Sequence, residues 1–166
     1  MFRNSIVPIT AGVMLALAGS AQAAGTRTTT FPVTATVASN CLINSASAMA
    51  FGNYDGSGVV DATSSIVVRC SKNAGYTVAL DGGTTNGFAP RKLSFGGERL
   101  EYNLFSDAGH TSVWGDTVGV NTVADTGSGL NSVKTHTVYG RLFDNANNQA
   151  AAVGAYSDTI TVTVAY

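Results

Sequence analysis

The sequence predicts an all-β domain with antiparallel strands, arranged as a sandwich or a barrel. Residues 24–166 contain repeated short runs in which apolar and polar side chains alternate, the period of a half-buried strand. Gly, Asn and Asp separate these runs, and an apolar spacing of helical period is almost lacking. Since no linker or charge block divides this part of the chain, we expect a single domain.

The first 23 residues have the order of a secretory signal peptide. Arg3 is followed by the apolar run IVPITAGVMLALAG, and the small residues SAQA close the segment. This run is shorter than the roughly 20 apolar residues that span a bilayer, so a cleaved signal is favoured over a transmembrane helix. We therefore expect cleavage after Ala23 and export of a soluble chain that begins at Ala24.

The composition gives no electrostatic reason to expect a nucleic acid or an anionic membrane as partner. The formal net charge of the chain is −1, and only 11% of its residues are charged. Much of the surface is therefore expected to consist of Thr, Ser, Asn and Gly.

The first predicted strand lies directly behind the expected cleavage site. In TTTFPVTATVASNC (28–41), Phe31, Val33, Ala35 and Val37 alternate with polar residues and with Pro32. Proline has no backbone N–H for a sheet ladder, so it is tolerated at the start of a strand or on an unpaired edge.

Five further alternating runs follow, and two weaker ones at 49–51 and 112–114 bring the expected number of strands to seven or eight. The last run stops at the final residue, where a seven-stranded immunoglobulin-like sandwich needs one more partner strand, so we expect the chain to end before making it. The five runs are SSIVVRC (64–70), GYTVALDGG (75–83), ERLEYNLFSD (98–107), HTVYGRLFD (136–144) and YSDTITVTVAY (156–166).

Two cysteines, Cys41 and Cys70, lie in the exported part of the chain. An even pair in an exported protein most simply forms a disulfide. A redox pair or a metal site would need a CxxC spacing or further Cys and His ligands nearby, and the sequence has neither.

The residues that could carry chemistry do not form a recognisable motif. His110 lies near Asp107, Ser106 and Ser112, but a catalytic triad depends on three-dimensional geometry, and no GxSxG motif is present. We expect His110 and His136 to be surface or turn residues.

Two further stretches allow either a structural or a functional interpretation. DNANNQ (144–149) resembles the start of an EF-hand loop but lacks its Gly and Glu, which favours a polar hairpin. Trp114 is expected in the core or at an edge rather than on a sugar-stacking platform. We therefore expect neither an enzyme nor a cofactor nor a metal site.

The order of short motifs along the chain resembles the spore coat protein U-like domain family, which includes the pilins of archaic chaperone–usher pili. The resemblance covers nearly all of residues 24–166. It rests on VASNCLI (37–43), FGNYD (51–55), VVRC (67–70), YTVALDGG (76–83), an Arg-led strand pair with LEYNLFSDA (100–108), VWGD (113–116), VYGRLF (138–143) and GAYSDTITVTVAY (154–166).

The resemblance implies an immunoglobulin-like sandwich that lacks its last strand. In that family a periplasmic chaperone fills the gap, and at an outer-membrane usher the N-terminal segment of another subunit replaces the chaperone. The resulting homopolymer is a surface fibre for adhesion and biofilm formation. By resemblance the family's disulfide corresponds to Cys41 and Cys70, and its donor strand to Phe31, Val33, Ala35 and Val37.

These expectations divide the chain into a signal peptide (1–23), a donor extension (24–38) and a pilin domain (39–166). The expected partners are other copies of the chain or related pilins, a chaperone and an usher, and the expected location is the cell surface. Two alternatives remain: a secreted or surface coat protein that folds without strand exchange, and a carbohydrate-binding adhesin module. A family tip adhesin carries an additional receptor-binding domain, for which this chain is too short.

Overall fold

The computed structural model describes residues 24–166, so the expected signal peptide lies outside the described residues. The described residues fall into two units, residues 24–35 and residues 36–166. Residues 24–40 form neither helix nor strand, and all of them are exposed.

Eight strands and one short helix form the ordered part of the second unit. They are β1 (Cys41–Ala46), β2 (Val60–Cys70), β3 (Gly75–Leu80), β4 (Arg91–Phe95), β5 (Glu98–Phe105), β6 (Val123–Thr126), β7 (Lys134–Leu142), α1 (Ala146–Gln149) and β8 (Val162–Ala165). Within residues 24–166, no helix is long and apolar enough to cross a membrane.

The strands form two antiparallel sheets, which confirms the predicted all-β class. The larger sheet has the order β1-β2-β7-β5-β4, and the smaller has the order β6-β3-β8. β2 and β7 pair from Val60–Leu142 to Val68–Lys134 and form the centre of the larger sheet. β1 and β8 each lie at an edge of their sheet.

The core consists of the inward-facing side chains of both sheets, as alternation along the strands requires. β2 contributes Ile66 and Val68, and β3 contributes Val78 and Leu80, all at most 1% exposed. Trp114 is also buried, and its indole N–H donates to the carbonyl of Val78 at 2.9 Å. The prediction of a structural Trp114 is therefore confirmed, and a sugar platform at this residue is excluded because the ring is covered.

The predicted strands are present where the alternating run is long. They are absent where the run is short or where no neighbouring strand pairs with it. The runs at 64–70, 75–83, 98–107 and 136–144 overlap β2, β3, β5 and β7, whereas only 162–165 of the last run pair as a strand. β4 and β6, with five and four residues, are too short to show a period. The weaker candidates at 49–51 and 112–114 form no strand, and Val113 makes only an isolated bridge to Phe105.

The predicted strand at 28–41 is absent from residues 28–40 of this isolated chain, and β1 begins only at Cys41. An extended segment is stable only when its backbone pairs with another strand. The alternation therefore exists without the partner that would make it a strand.

DNANNQ (144–149) is also not a hairpin. Its Asn145 side chain caps α1 by accepting from the N–H of Asn148 at 2.9 Å. Local side chain–backbone bonding of this kind favours a helix start over a turn between strands.

Candidate binding groove

A groove opens onto the core beside Ala46 at the end of β1 and Val162 at the start of β8, two strands that each lie at an edge of their sheet. Its floor consists of buried core residues from both sheets, including Ile66, Leu80, Leu104 and Val138. The groove contains a cavity of about 440 Å³, and an adjoining cavity of about 730 Å³ shares Met49, Phe51, Leu93 and Asp158 with it.

The core-facing side chains of β1 are only partly covered, and one of them, Ala46, lines the groove. Ile43 lies opposite Val68, and Ala46 lies opposite Ile66. Opposed residues of an antiparallel pair point to the same face, so Ile43 and Ala46 face the core side. Val68 and Ile66 are at most 1% exposed, yet Ile43 is 44% exposed, and Ala46 is also exposed.

In β8, too, the core-facing side chains are more exposed than the residues that they lie opposite. Val162 and Val164 lie opposite Leu80 and Val78, which are fully buried, but both valines are only half-buried. β8 is paired to β3 and lies at the end of its sheet, so its other edge has no partner among residues 24–166. Two unpaired edges therefore border one uncovered strip of core.

The segment that continues the β1 wall has unused backbone groups. Between Ala48 and Val59, no backbone–backbone hydrogen bond forms within the described part of the chain. This segment nevertheless packs closely, since a Cβ at Gly140 of β7 would collide with the sulfur of Met49. Phe51 contacts Tyr102 edge-on at 5.9 Å between ring centroids. The wall is thus held by side chains and leaves its backbone available for pairing.

Asp158 is the acidic group in this largely apolar groove. Its carboxylate accepts hydrogen bonds from the Tyr102 hydroxyl at 2.7 Å and from the backbone N–H of Thr84 at 2.8 Å. Burial of the phenol, and then the hydrogen bond to Asp158, raise the pKa of Tyr102. The carboxylate lines both cavities and marks the boundary between them.

The disulfide predicted from the two cysteines is present. Cys41 and Cys70 are bonded and lie opposite each other at the ends of β1 and β2. The bond fastens the edge strand that forms one wall of the groove.

The predicted donor residues are exposed. Phe31, Val33 and Val37 have exposed fractions of 80%, 84% and 90%, and Ala35 is exposed as well. Their role as a donor strand stays a prediction.

His110 lies in a turn, as one of the two expected placements, whereas His136 lies on a strand, and the side chains of both are largely covered. The side chain of His110 is 7% exposed in a turn against Phe105, and that of His136 is 10% exposed on β7. His136 contacts the Tyr76 hydroxyl at 2.9 Å, and burial lowers the pKa of His136, although Asp125 opposes this effect.

These residues do not assemble a hydrolytic site within residues 24–166. The Asp107 carboxylate accepts from the backbone N–H groups of Thr111 and Ser112 instead of orienting His110. Over the same residues, no three His, Cys, Asp or Glu side chains are grouped so that they could hold a metal ion.

The groove itself had no direct signature in the sequence. Alternation in the last run identified Ile160, Val162 and Val164 as one face of a strand, but it did not show that this face would be only partly covered. Asp158 was not singled out, because it does not follow from periodicity, and Met49 was noted only as part of the weak strand candidate at 49–51.

Fold and groove together define a β-sandwich domain with its core open along one side between two edge strands. The chain belongs to the family of the Spore Coat Protein U domain, whose model matches residues 27–163. No curated protein matches this sequence.

The fold is similar to a chain in the crystal structure of the CsuC–CsuE chaperone–tip adhesion subunit pre-assembly complex from the archaic chaperone–usher Csu pili of Acinetobacter baumannii. The two chains are 24% identical, with a TM-score of 0.54. The similarity covers 79% of this chain and 40% of that chain, so this chain spans well under half of the solved one.

Proposed function

We propose that this protein is a structural subunit of an archaic chaperone–usher pilus, in which the groove accepts a strand from another molecule. The observation that carries the proposal is the uncovered, core-facing side of β1 and β8 between two unpaired edges. Adding a strand there would bury this side and pair both backbones, a recognised mode of protein association. It would also remove the open edges that otherwise favour aggregation.

The N-terminal run has the dimensions and pattern that such a groove needs. Its six residue steps from Phe31 to Val37 extend about 20 Å in a strand, and the groove wall that it would lie along continues from Asp158 through Ile160 into β8. Phe31, Val33, Ala35 and Val37 would lie on one face of that strand, toward the core.

The apolar side chains of the run supply the driving force in this proposal. Burial of one large apolar side chain stabilises by about 1.5–3 kcal/mol, so Phe31, Val33 and Val37 together contribute about 5–9 kcal/mol before the ordering of the segment is subtracted. Ala35 adds little energy, because its side chain is a single methyl group.

The proposed partners follow from this exchange. A periplasmic chaperone occupies the groove of the exported subunit, and at an outer-membrane usher the run of a second copy or a related pilin replaces it. The product is a homopolymeric surface fibre for adhesion and biofilm formation, and the domain boundaries are those expected above. The family membership and the likeness to a chain of a chaperone–subunit complex support this assignment.

The experiment that tests this proposal deletes the N-terminal run and leaves the groove intact. Cells with the chaperone and usher should assemble the wild-type chain into multimers that survive detergent and give a ladder on a gel. Deletion of residues 24–37 should leave a chaperone-bound subunit that accepts a strand but forms no ladder. Val37→Asp should behave similarly, since an unpaired carboxylate in an apolar groove costs several kcal/mol.

Val120→Asp is the matched control. Val120 is also an exposed valine, at 78%, but it lies outside the run, the groove wall and the lining of both cavities. It should assemble normally. Ladders of normal length from the deletion variant would contradict the proposal and favour a coat protein that needs no strand exchange.

A further inference from the structure

Ser71 holds the backbone from which the N-terminal run departs. Its hydroxyl oxygen accepts the N–H of Asn40 at 3.1 Å, and its one proton has two acceptors within reach, the carbonyls of Ala38 at 3.3 Å and Asn40 at 3.4 Å. Its own backbone N–H donates to the carbonyl of Asn40 at 2.9 Å. Ser71 is 7% exposed, so these bonds are shielded from water.

The three bonds draw residues 38–40 toward β2. Ser71 follows Cys70, the last residue of β2, and Cys70 lies opposite Cys41, the first residue of β1. The bond between Ser71 and Asn40 therefore continues the β1–β2 pairing one residue beyond the disulfide. The bond to Ala38 extends the same attachment by two more residues.

If residues 31–37 entered the groove of their own chain, residues 38–40 would need a different backbone conformation. Only residues 38–40 separate Val37 from β1, which borders the groove. A parallel arrangement requires a crossover of a dozen or more residues, so the run could pair with the open edge of β1 only as a hairpin. Short hairpin loops need a residue with positive φ, and none of residues 38–40 has one.

We propose that Ser71 is a positioning residue that keeps residues 31–37 out of the groove of their own chain and so reserves them for a second copy. The hairpin would break the bonds from Ser71 to Ala38 and Asn40. This inference rests on the proposed function, because it presumes that the groove accepts the run. It adds a reason why the run does not fold back into the groove of its own chain, although only residues 38–40 separate it from β1.

The test compares how much of the groove is open in the monomer. The mature chain, residues 24–166, is refolded in dilute solution and titrated with a labelled synthetic peptide of residues 28–38. The wild-type monomer should bind the peptide. Asn40→Gly alone favours the hairpin turn, and adding Ser71→Ala to it should lower the fraction of monomer that binds further, since one hydrogen bond shifts such an equilibrium roughly 2- to 12-fold.

Ser132→Ala is the matched control, because Ser132 lies in the loop before β7 and makes no side-chain hydrogen bond in the described part of the chain. Its peptide binding should equal that of the wild type. Deleting residues 24–37 from the Ser71→Ala, Asn40→Gly variant should restore full binding, which distinguishes self-insertion from misfolding.

Two outcomes overturn the inference. One is equal peptide binding by the double variant and by Asn40→Gly alone, and the other is reduced binding that the deletion does not restore. Failure of the proposed function has a different result, because the wild-type chain and its deletion variant would then both fail to bind the peptide.

Discussion

Arg91 is a fully buried cation whose partners are mainly backbone carbonyls. Its exposed fraction is 0%, and its guanidinium donates to the carbonyls of Leu80, Asp81 and Trp114 and to the side chain of Asn103, at 2.7–3.3 Å. The planar fork of Arg provides five donors, which suits this arrangement better than a single ammonium group. Burial lowers the pKa of Arg91, and nearby acidic groups oppose the effect.

Arg91→Met should therefore be strongly destabilising. It leaves several buried acceptors without a donor, and each costs about 1–3 kcal/mol, so we expect a loss of at least about 3 kcal/mol. The midpoint of urea unfolding measures this loss. Arg99→Met is the control, because Arg99 is exposed and donates only to nearby carbonyls. Equal midpoints for the two variants would contradict the structural role of Arg91.

At the level of elements, the bond between β1 and β2 matters most for the groove. β1 pairs with β2 alone and lies at the edge of its sheet, so the Cys41–Cys70 disulfide is a covalent hold on that wall. The register also shifts between Ile43 and Ser45, which interrupts the hydrogen-bond ladder in the middle of the strand.

Reduction of this disulfide should lower the free energy of unfolding by about 3–4 kcal/mol, the chain-entropy value for a sequence separation of 29 residues. Denaturant unfolding with and without a reducing agent measures the difference. The reductant should have no effect on a Cys41→Ser, Cys70→Ser variant, which should match the reduced wild type. An unchanged midpoint on reduction would show that pairing with β2 alone secures the wall.

For the whole molecule, the open groove predicts that the isolated chain is a poor monomer. An uncovered strip of core between two unpaired edges favours association with other chains. The mature chain should therefore lose monomer over time at high concentration in size-exclusion chromatography. Excess peptide of residues 28–38 should slow this loss by filling the groove. A monomer that persists at high concentration without the peptide would contradict the prediction.

The long alternating runs were predictable because periodicity is a local property of the sequence. The disulfide was predictable because the chain has only two cysteines to pair. A period of two marks one face of β2, β3, β5 and β7 as apolar, whatever the strand packs against. The same reasoning found the run at 31–37 but assigned it a strand, because alternation does not reveal whether a partner is present. It missed the short strands β4 and β6, whose few residues show no period.

What the sequence by itself determined about this protein is the all-β class, most of the strand positions, the disulfide and the apolar face of the N-terminal run. Only the tertiary structure decided that Arg91 is buried, that the side chains of both histidines are largely covered, and that Ile43 and Val164 are only partly covered. The physical reason is that periodicity states which face of a strand is apolar, whereas burial depends on what the rest of the chain places over that face.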